Sequence, residues 1–258
     1  MRHLRAKERA MKTILIVGIG AGNPEHLTIQ AINALNRADV LFIPDKGAGK
    51  ADLADLRRGI CDRYVTNPAS RRVEYSVPKR DAANPDYGAG VHDWHDALAA
   101  IFARLIAAEV PENGACAFLV WGDPGLYDST IRIIDRLDSA AFSIEIIPGI
   151  TAIQALTAAH GIALNRIGEP VHITTGRKLG DEGVRSDSVV MLDGQTAFAA
   201  LDNPDLDIFW GAYLGTPDEI LIEGPLMEVR DKIIETRKAA RARHGWIMDT
   251  YLLRKREG

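Results

Sequence analysis

The sequence predicts a two-domain α/β protein with a cleft between the domains, the first built on a mainly parallel sheet and the second on a mixed one. Three observations predict it. Strand-length apolar runs alternate with helix-period segments through the first 160 residues, the pattern of βα units whose sheet is covered on both faces. After about Asn165 the strand-like runs crowd together and only one clear helix follows, which suits a mixed sheet. The length, 258 residues, lies between one and two domains at about 150 residues each.

Each element follows from its own residues. Thr13–Gly18 (TILIVG) is a continuous apolar strand, and Leu27–Ala38 sets Leu27, Ala31, Ala34, Leu35 and Ala38 at helical spacing. Val40–Ile43 reads as a second strand, Ala51–Tyr64 as a helix, and Arg72–Val77 as a strand turning Val73, Tyr75 and Val77 inward. Pro78–Gly90, rich in Pro, Asn, Asp and Gly, is expected to be a loop. Val91–Glu109 then reads as an amphipathic helix with Trp94, Leu98, Ile101, Phe102 and Leu105 on one side. Cys116–Trp121 is a buried strand, Leu126–Leu137 a helix, Phe142–Ile147 a strand, and Ile150–His160 a helix that Gly161 breaks. The second half carries strands at Val171–Thr175, Val189–Leu192, Ile208–Leu214, Glu219–Glu223 and Trp246–Leu253, and a helix at Met227–Arg243. A boundary within residues 138–168 divides the chain into domains 11–150 and 151–258. Residues 1–10, ahead of a strand that starts near Met11, are expected to form a flexible extension without function.

Composition narrows the function. Lys and Arg number 31 against 35 Asp and Glu, a net charge of −4, so the basic excess of a phosphate-tracking protein is missing and nucleic acid is not the expected partner. Cys61 and Cys116 belong to no Cys/His cluster, which leaves neither a zinc ribbon nor a disulfide framework and points to a reducing cytosol. No apolar run approaches 18 residues, and the basic leader lacks the apolar stretch of a signal peptide. A cytoplasmic protein without a membrane partner is expected. His92 and His95 stand three apart on a helix, but no third ligand is evident, so no metal is expected.

Three glycine or proline turns leave three strands. The first, Gly18-Ile19-Gly20-Ala21-Gly22-Asn23-Pro24, fits a dinucleotide fingerprint poorly. The third glycine position is Asn23, Pro24 has no N–H for a phosphate, and no acid ends the second strand unless Asp45 serves. The second, Trp121-Gly122-Asp123-Pro124-Gly125-Leu126-Tyr127-Asp128-Ser129, reads equally as a tight turn and as a ligand loop in which Asp123 accepts from a hydroxyl or cation. In the third, Ile147-Pro148-Gly149-Ile150-Thr151-Ala152, Thr151 has the ordinary role of an N-cap open to it. In a parallel sheet such turns line one rim at the carboxyl ends of the strands, where ligands bind.

The turns GIGAGNP, GDPGLYDS and IPGITA, in this order and spacing, resemble those of the tetrapyrrole methylase family. Longer runs extend the resemblance from about Met11 to the C-terminus: Val77–Asp81 with Tyr87 and Asp93-Trp94-His95, His172–Arg177, Val190–Gly194, Trp210–Thr216 and Gly245–Leu253. The resemblance implies two α/β domains clamping S-adenosylmethionine, with S-adenosylhomocysteine as product, usually in a homodimer. By position it implies cofactor contacts at Ala21, at Trp121, Gly122, Asp123 and Leu126, and at Thr151 and Ala152. By matched element alone it adds Leu192 or Asp193, Leu214, and Trp246 or Ile247, with Leu192 and Ile247 reading equally as core strand residues.

The same resemblance implies methylation at C1 of precorrin-5, coupled to loss of an acetyl group as acetate, to give precorrin-6A. Contact with neighbouring enzymes of the pathway is a further implication. A group that orients or deprotonates water is then needed. The candidates are Asp45 and Lys46, in Ile43-Pro44-Asp45-Lys46 where relatives often carry His-Asp, and His95, whose neighbours Asp93 and Asp96 are expected to raise its basicity. A packed or solvated role competes for His95. Arg80 and Arg177, with Arg71, Arg72, Lys79 and Lys178 near them, are candidates for substrate carboxylates. A solvated face competes for them and is the expected reading of Arg237–Arg243. Two other readings stay open: a methylase acting on a different precorrin carbon, and a tetrapyrrole-binding or channelling protein without turnover.

Overall fold

The computed structural model describes residues 11–45, 51–78, 87–138 and 141–256. The expected extension at residues 1–10, the catalytic candidate Lys46 and the substrate candidate Arg80 lie outside them. The described chain divides into two units: residues 11–19 with Leu27–Gly149, and Gly20–His26 with residues 150–256. The first glycine turn is thus divided, Gly18 and Ile19 grouping with the first unit and Gly20–Pro24 with the second.

The first unit carries a five-stranded sheet of β1 (Lys12–Gly18), β2 (Val40–Asp45), β3 (Arg71–Ser76), β4 (Ala115–Val120) and β5 (Phe142–Ile147). The order is β3-β2-β4-β1-β5, and every neighbouring pair is parallel. Alternation explains why its central strands are apolar throughout. Leu15, Val17, Leu41, Ile43, Ala117 and Leu119 face α1 (Ile29–Arg37) and α2 (Ala51–Tyr64), meeting Ala31, Ala34, Leu35, Ile60 and Cys61. Ile14, Ile16, Val40, Phe42, Cys116, Phe118 and Val120 face α3 (Tyr87–Glu109) and α4 (Thr130–Ile134), meeting Leu98, Phe102, Ile106, Ile133 and Ile134. Two cores on one sheet therefore need continuous hydrophobic runs. Trp94, Ile101 and Leu105 pack at the margin of the second core, as expected.

Two elements differ from expectation here. The helix α3 begins at Tyr87, inside the expected Pro78–Gly90 loop, because Gly88, Ala89 and Gly90 continue its first turn. The expected Leu126–Leu137 helix contracts to the five residues of α4, since Pro124, Gly125 and a left-handed Tyr127 (φ 51°) keep residues 121–129 in an open turn.

In the second unit β6 (Val171–Thr175), β7 (Asp187–Met191), β8 (Leu206–Ala212), β9 (Ile220–Pro225) and β10 (Asp249–Lys255) follow the order β6-β7-β10-β8-β9. Only β6 and β7 pair in parallel. The helices are α5 (Ala152–His160), closed by Gly161 at φ 65°, then α6 (Gly176–Glu182) and α7 (Leu226–His244). The single-helix reading of this half misses α6, whose GRKLGDE sequence hides a short helix behind two glycines. The last strand starts at Asp249, so Trp246 and Ile247 lie in the turn before it. The expectation that Arg237–Arg243 is a solvated face fails at its first member. Arg237 is 8% exposed and pairs with Asp249 at 2.9 Å.

Candidate functional site

Adjacency of β4, β1 and β5 brings three glycines together at the carboxyl ends of these strands in the first unit. A methyl group on Gly18 would lie 2.7 Å from the Gly149 nitrogen and 2.8 Å from the Gly122 carbonyl oxygen. One on Gly149 would collide with that same oxygen. Backbone therefore meets backbone, and only glycine fits. Asp123 fastens the arrangement: Oδ1 accepts from the Gly125 amide at 2.7 Å and Oδ2 from the Gly149 amide at 2.9 Å. Both oxygens serve the turns themselves, so Asp123 is a brace before it is a ligand. Trp121 is half-buried against the α1-side core, and Leu126 is half-buried on the turn that Asp123 closes.

In the second unit the segment Gly20–His26 packs on the turn after β8. A methyl group on Gly22 would strike the Leu214 carbonyl oxygen, and one on Gly215 would lie 2.8 Å from the Asn23 nitrogen. Ala21 and Leu214 are buried, at 3% and 5% exposure. Tyr213 holds this turn with φ 52°, its amide donating to Met248 O at 3.0 Å and its hydroxyl to Trp246 O at 2.6 Å. The Tyr213 and Trp246 rings meet edge to face at 5.1 Å. The buried Trp246 indole N–H and His26 Nδ1 have no hydrogen-bond partner, the condition of a polar atom kept for a ligand or water. Thr151 takes the ordinary role open to it. Its Oγ1 accepts from the Ile153 amide at 3.1 Å, and Gln154 completes a capping box at the start of α5, where Ala152 is half-buried.

The pair Leu192 or Asp193 separates clearly. Asp193 is 4% exposed. Its Oδ1 accepts from the Gln195 amide at 3.1 Å, and its Oδ2 from the Ala197 amide and the Tyr251 hydroxyl, both at 2.7 Å. It is a strut. Leu192 is 65% exposed at φ 53°, which overturns its alternative reading as a core strand residue. Beneath this turn Arg237 donates to the Asp193 carbonyl and to Asp249, whose Oδ2 also accepts from the Trp210 indole at 2.9 Å. Burial pushes the Asp249 carboxyl above its ordinary range despite Arg237, so desolvation outweighs the pair's attraction.

The catalytic candidates part company too. Asp45 is exposed at the carboxyl end of β2. His95 is 4% exposed between α3 and α4, with its Nδ1 3.4 Å from the Arg136 guanidinium and its Nε2 without a partner. Because a guanidinium only donates, Nδ1 is the acceptor and the proton is assigned to Nε2. The expectation that Asp93 and Asp96 raise its basicity is corrected: burial first, then Arg136, His92 and Arg132, lower the His95 pKa against the pull of Asp96. Asp96 itself pairs with Arg136 at 3.2 Å. Arg177 is exposed on the first turn of α6. The sequence reading misses His26, Tyr213 and Arg237. The signals available for them were a histidine beside the first glycine turn and a WGAYLGT run whose φ values cannot be read from composition.

The model of the Tetrapyrrole (Corrin/Porphyrin) Methylases matches residues 13–230. Precorrin-6A synthase (deacetylating) from Sinorhizobium sp is 57% identical over 253 residues, covering 96% of this chain and 97% of that protein. Precorrin-2 C(20)-methyltransferase from the same source is 34% identical over 152 residues, 57% of this chain and 58% of its own length. Among solved structures, a putative cobalamin synthesis related protein (CobF) from Corynebacterium diphtheriae superposes with TM-score 0.83 at 42% identity, over 96% of this chain and 100% of that one. The chain therefore belongs to the tetrapyrrole methylase family.

Proposed function

We propose that the chain is an S-adenosylmethionine-dependent C-methyltransferase of corrin biosynthesis that methylates C1 of precorrin-5 and releases acetate to give precorrin-6A. The observation that carries this reading is the near end-to-end match to the Sinorhizobium precorrin-6A synthase. The residues present fit the cofactor. The glycine-lined backbone at Gly18, Gly122 and Gly149 leaves room for close approach, and the Trp246 N–H is a buried donor in want of an acceptor. When bound, the sulfonium supplies a methyl group for in-line displacement by carbon.

The chain's own part is alignment, and holding reactants in line is able to supply roughly 7–11 kcal/mol of barrier reduction. Within the first unit we assign cofactor contacts to the backbone of Trp121, Gly122 and Asp123 and to the Leu126 side chain. Within the second we assign them to Ala21, Thr151, Ala152, Leu192, Leu214 and the Trp246 and Ile247 turn. Asp45 is the residue we assign to water for acetyl loss, being exposed at a strand end where His95 is enclosed and faces a guanidinium. Asp45 takes one proton from the water as its oxygen joins the acetyl carbon; the bond from that carbon to the macrocycle breaks, its electron pair stays with the macrocycle as the carbon nucleophile for the methyl group, and the acid so formed gives its proton to solvent and leaves as acetate. Arg177 serves a substrate carboxylate.

We also propose a homodimer, for which the exposed Ile144 and Ile146 on edge strand β5 (38% and 50%) offer an apolar surface, and a cytoplasmic location with transient contact to neighbouring pathway enzymes. Among the described residues no helix is long and apolar enough to cross a membrane. Purified full-length chain, supplied with S-adenosylmethionine and single precorrins, tests the reading. S-adenosylhomocysteine and acetate should form in equal amounts from precorrin-5. Product without acetate, or turnover of another precorrin alone, assigns a different carbon. Tetrapyrrole binding without turnover makes the chain a carrier.

A further inference from the structure

In the turn between β4 and α4 the backbone is left-handed at Gly122, φ 68°, and again at Tyr127, φ 51°, but not at Gly125 two residues before the tyrosine. A bulky L residue pays for that conformation, and the fold does not recover it by burial, since Tyr127 is 43% exposed. Hydrogen bonds on both sides hold the backbone there. Asp123 takes the Gly125 amide on its side chain at 2.7 Å and the Leu126 amide on its carbonyl at 3.2 Å, and Asp128 takes the Thr130 amide at 2.6 Å. Arg132, exposed on α4, folds back to donate to the Asp128 carbonyl at 2.9 Å. That contact uses one of five guanidinium N–H groups and holds a cation next to the turn that displays the ring. An aromatic face and a cation are thus held out together at the carboxyl end of the central strand, where open parallel sheets bind ligands.

We propose that Tyr127 and Arg132 form a substrate subsite, in which the tyrosine ring lies against the tetrapyrrole macrocycle and the guanidinium takes one of its peripheral carboxylates. This rests on the proposed function for the identity of the substrate. A broad apolar macrocycle edged with carboxylates offers the complement to both groups. The left-handed backbone supplies the direction: with extended or helical φ the same side chain would leave the turn elsewhere.

The test uses the full chain. KM for precorrin-5, Kd for S-adenosylhomocysteine and Tm are measured for wild type, Tyr127→Gly, Tyr127→Phe and Arg132→Ala. Glycine adopts this φ without strain, so Tyr127→Gly should hold Tm within about 2 °C of wild type. It should raise KM about tenfold and leave Kd for S-adenosylhomocysteine within about twofold. Tyr127→Phe, which keeps the ring, should lose less than Tyr127→Gly. Arg132→Ala should also raise KM about tenfold, with the difference from wild type shrinking at high salt. Wild-type turnover with KM unchanged in both Tyr127→Gly and Arg132→Ala overturns the subsite alone, as does a loss of S-adenosylhomocysteine affinity equal to the rise in KM. A wild-type chain that binds S-adenosylhomocysteine but turns over no precorrin overturns the proposed function, and the subsite with it.

Discussion

The turns at Gly149 in the first unit and at Leu192 in the second are held by opposite means. In the first, Gly18, Gly122 and Gly149 touch through bare backbone, with Asp123 as a single polar brace. In the second, the Leu192 turn stands on a buried polar lattice of Asp193, Tyr251, Arg237, Asp249 and Trp210. Sheet type underlies the difference. Parallel strands β4, β1 and β5 end side by side, so their exits crowd and only the absence of side chains relieves them. In the mixed sheet β10 runs against both of its neighbours, β7 and β8. The start of β10 therefore brings Asp249 and Tyr251 near the end of β7, where side chains bridge what backbone does not. Sterics set the first site and hydrogen bonds the second. Each device has its own mode of failure.

The largest effect is expected in the polar lattice. Asp249→Ala leaves the Arg237 cation buried with its main partner removed and should cost about 3–5 kcal/mol in urea unfolding. Asp249→Asn keeps an acceptor for Arg237 and Trp210 and should cost less than about 1.5 kcal/mol, because the native carboxylate already bears an unfavourable burial. Equal losses in the two variants would mean that charge, not hydrogen bonding, holds the turn. Gly149→Ala comes next. Its new methyl group meets the Gly122 carbonyl and the Gly18 backbone, with no flexible side chain to yield, so a loss of about 3 kcal/mol with abolished S-adenosylhomocysteine binding is expected. A stable, cofactor-binding Gly149→Ala would erase the contrast between the units. Asp123→Ala should fall below both, at about 1–3 kcal/mol, since it removes a brace and leaves the glycine contacts in place; calorimetry and cofactor titration on one preparation read both consequences.

The smallest effect concerns pH. Burial and Arg136 hold the His95 pKa below its ordinary 6.5. Above that value both folded and unfolded chains are neutral at this residue and it contributes nothing. As pH falls through 6.5 the unfolded chain takes the proton and the folded chain resists, so stability declines until the pH has passed the lowered value of the folded chain. His95→Gln should flatten that part of the Tm profile, and an unaltered slope would place the buried proton elsewhere. Cys61 and Cys116, pushed up to about 11 and about 12 by burial, stay protonated throughout this range.

Legibility varied with the range of the interaction. The apolar runs of β1 and β4 announce strands buried on two faces, and Thr151 caps α5 through a bond to the residue two along the chain. The helix α6 escapes because two of its seven residues are glycine and packing supplies what propensity lacks. At the site, Leu192 and Asp193 are neighbours in sequence with opposite fates, since a left-handed φ at Leu192 turns one side chain outward and the other into the lattice. Arg237 heads a run of a helix that reads as solvent-facing, and Asp249 in β10, twelve residues on, together with the Asp193 carbonyl makes it a core residue.

The sequence by itself determined the alternation of elements, the change from a parallel to a mixed sheet, the three turns at strand ends and the family they belong to. All of these are written in nearest-neighbour periodicity or in contiguous motifs. Tertiary structure decided the order β3-β2-β4-β1-β5, which brings together glycines at positions 18, 122 and 149. It also decided which way Tyr127 and Leu192 point, and the sign of the His95 shift. Burial, charge and backbone angle at these positions depend on groups from distant parts of the chain, and neither a residue's type nor its immediate neighbours carry that information.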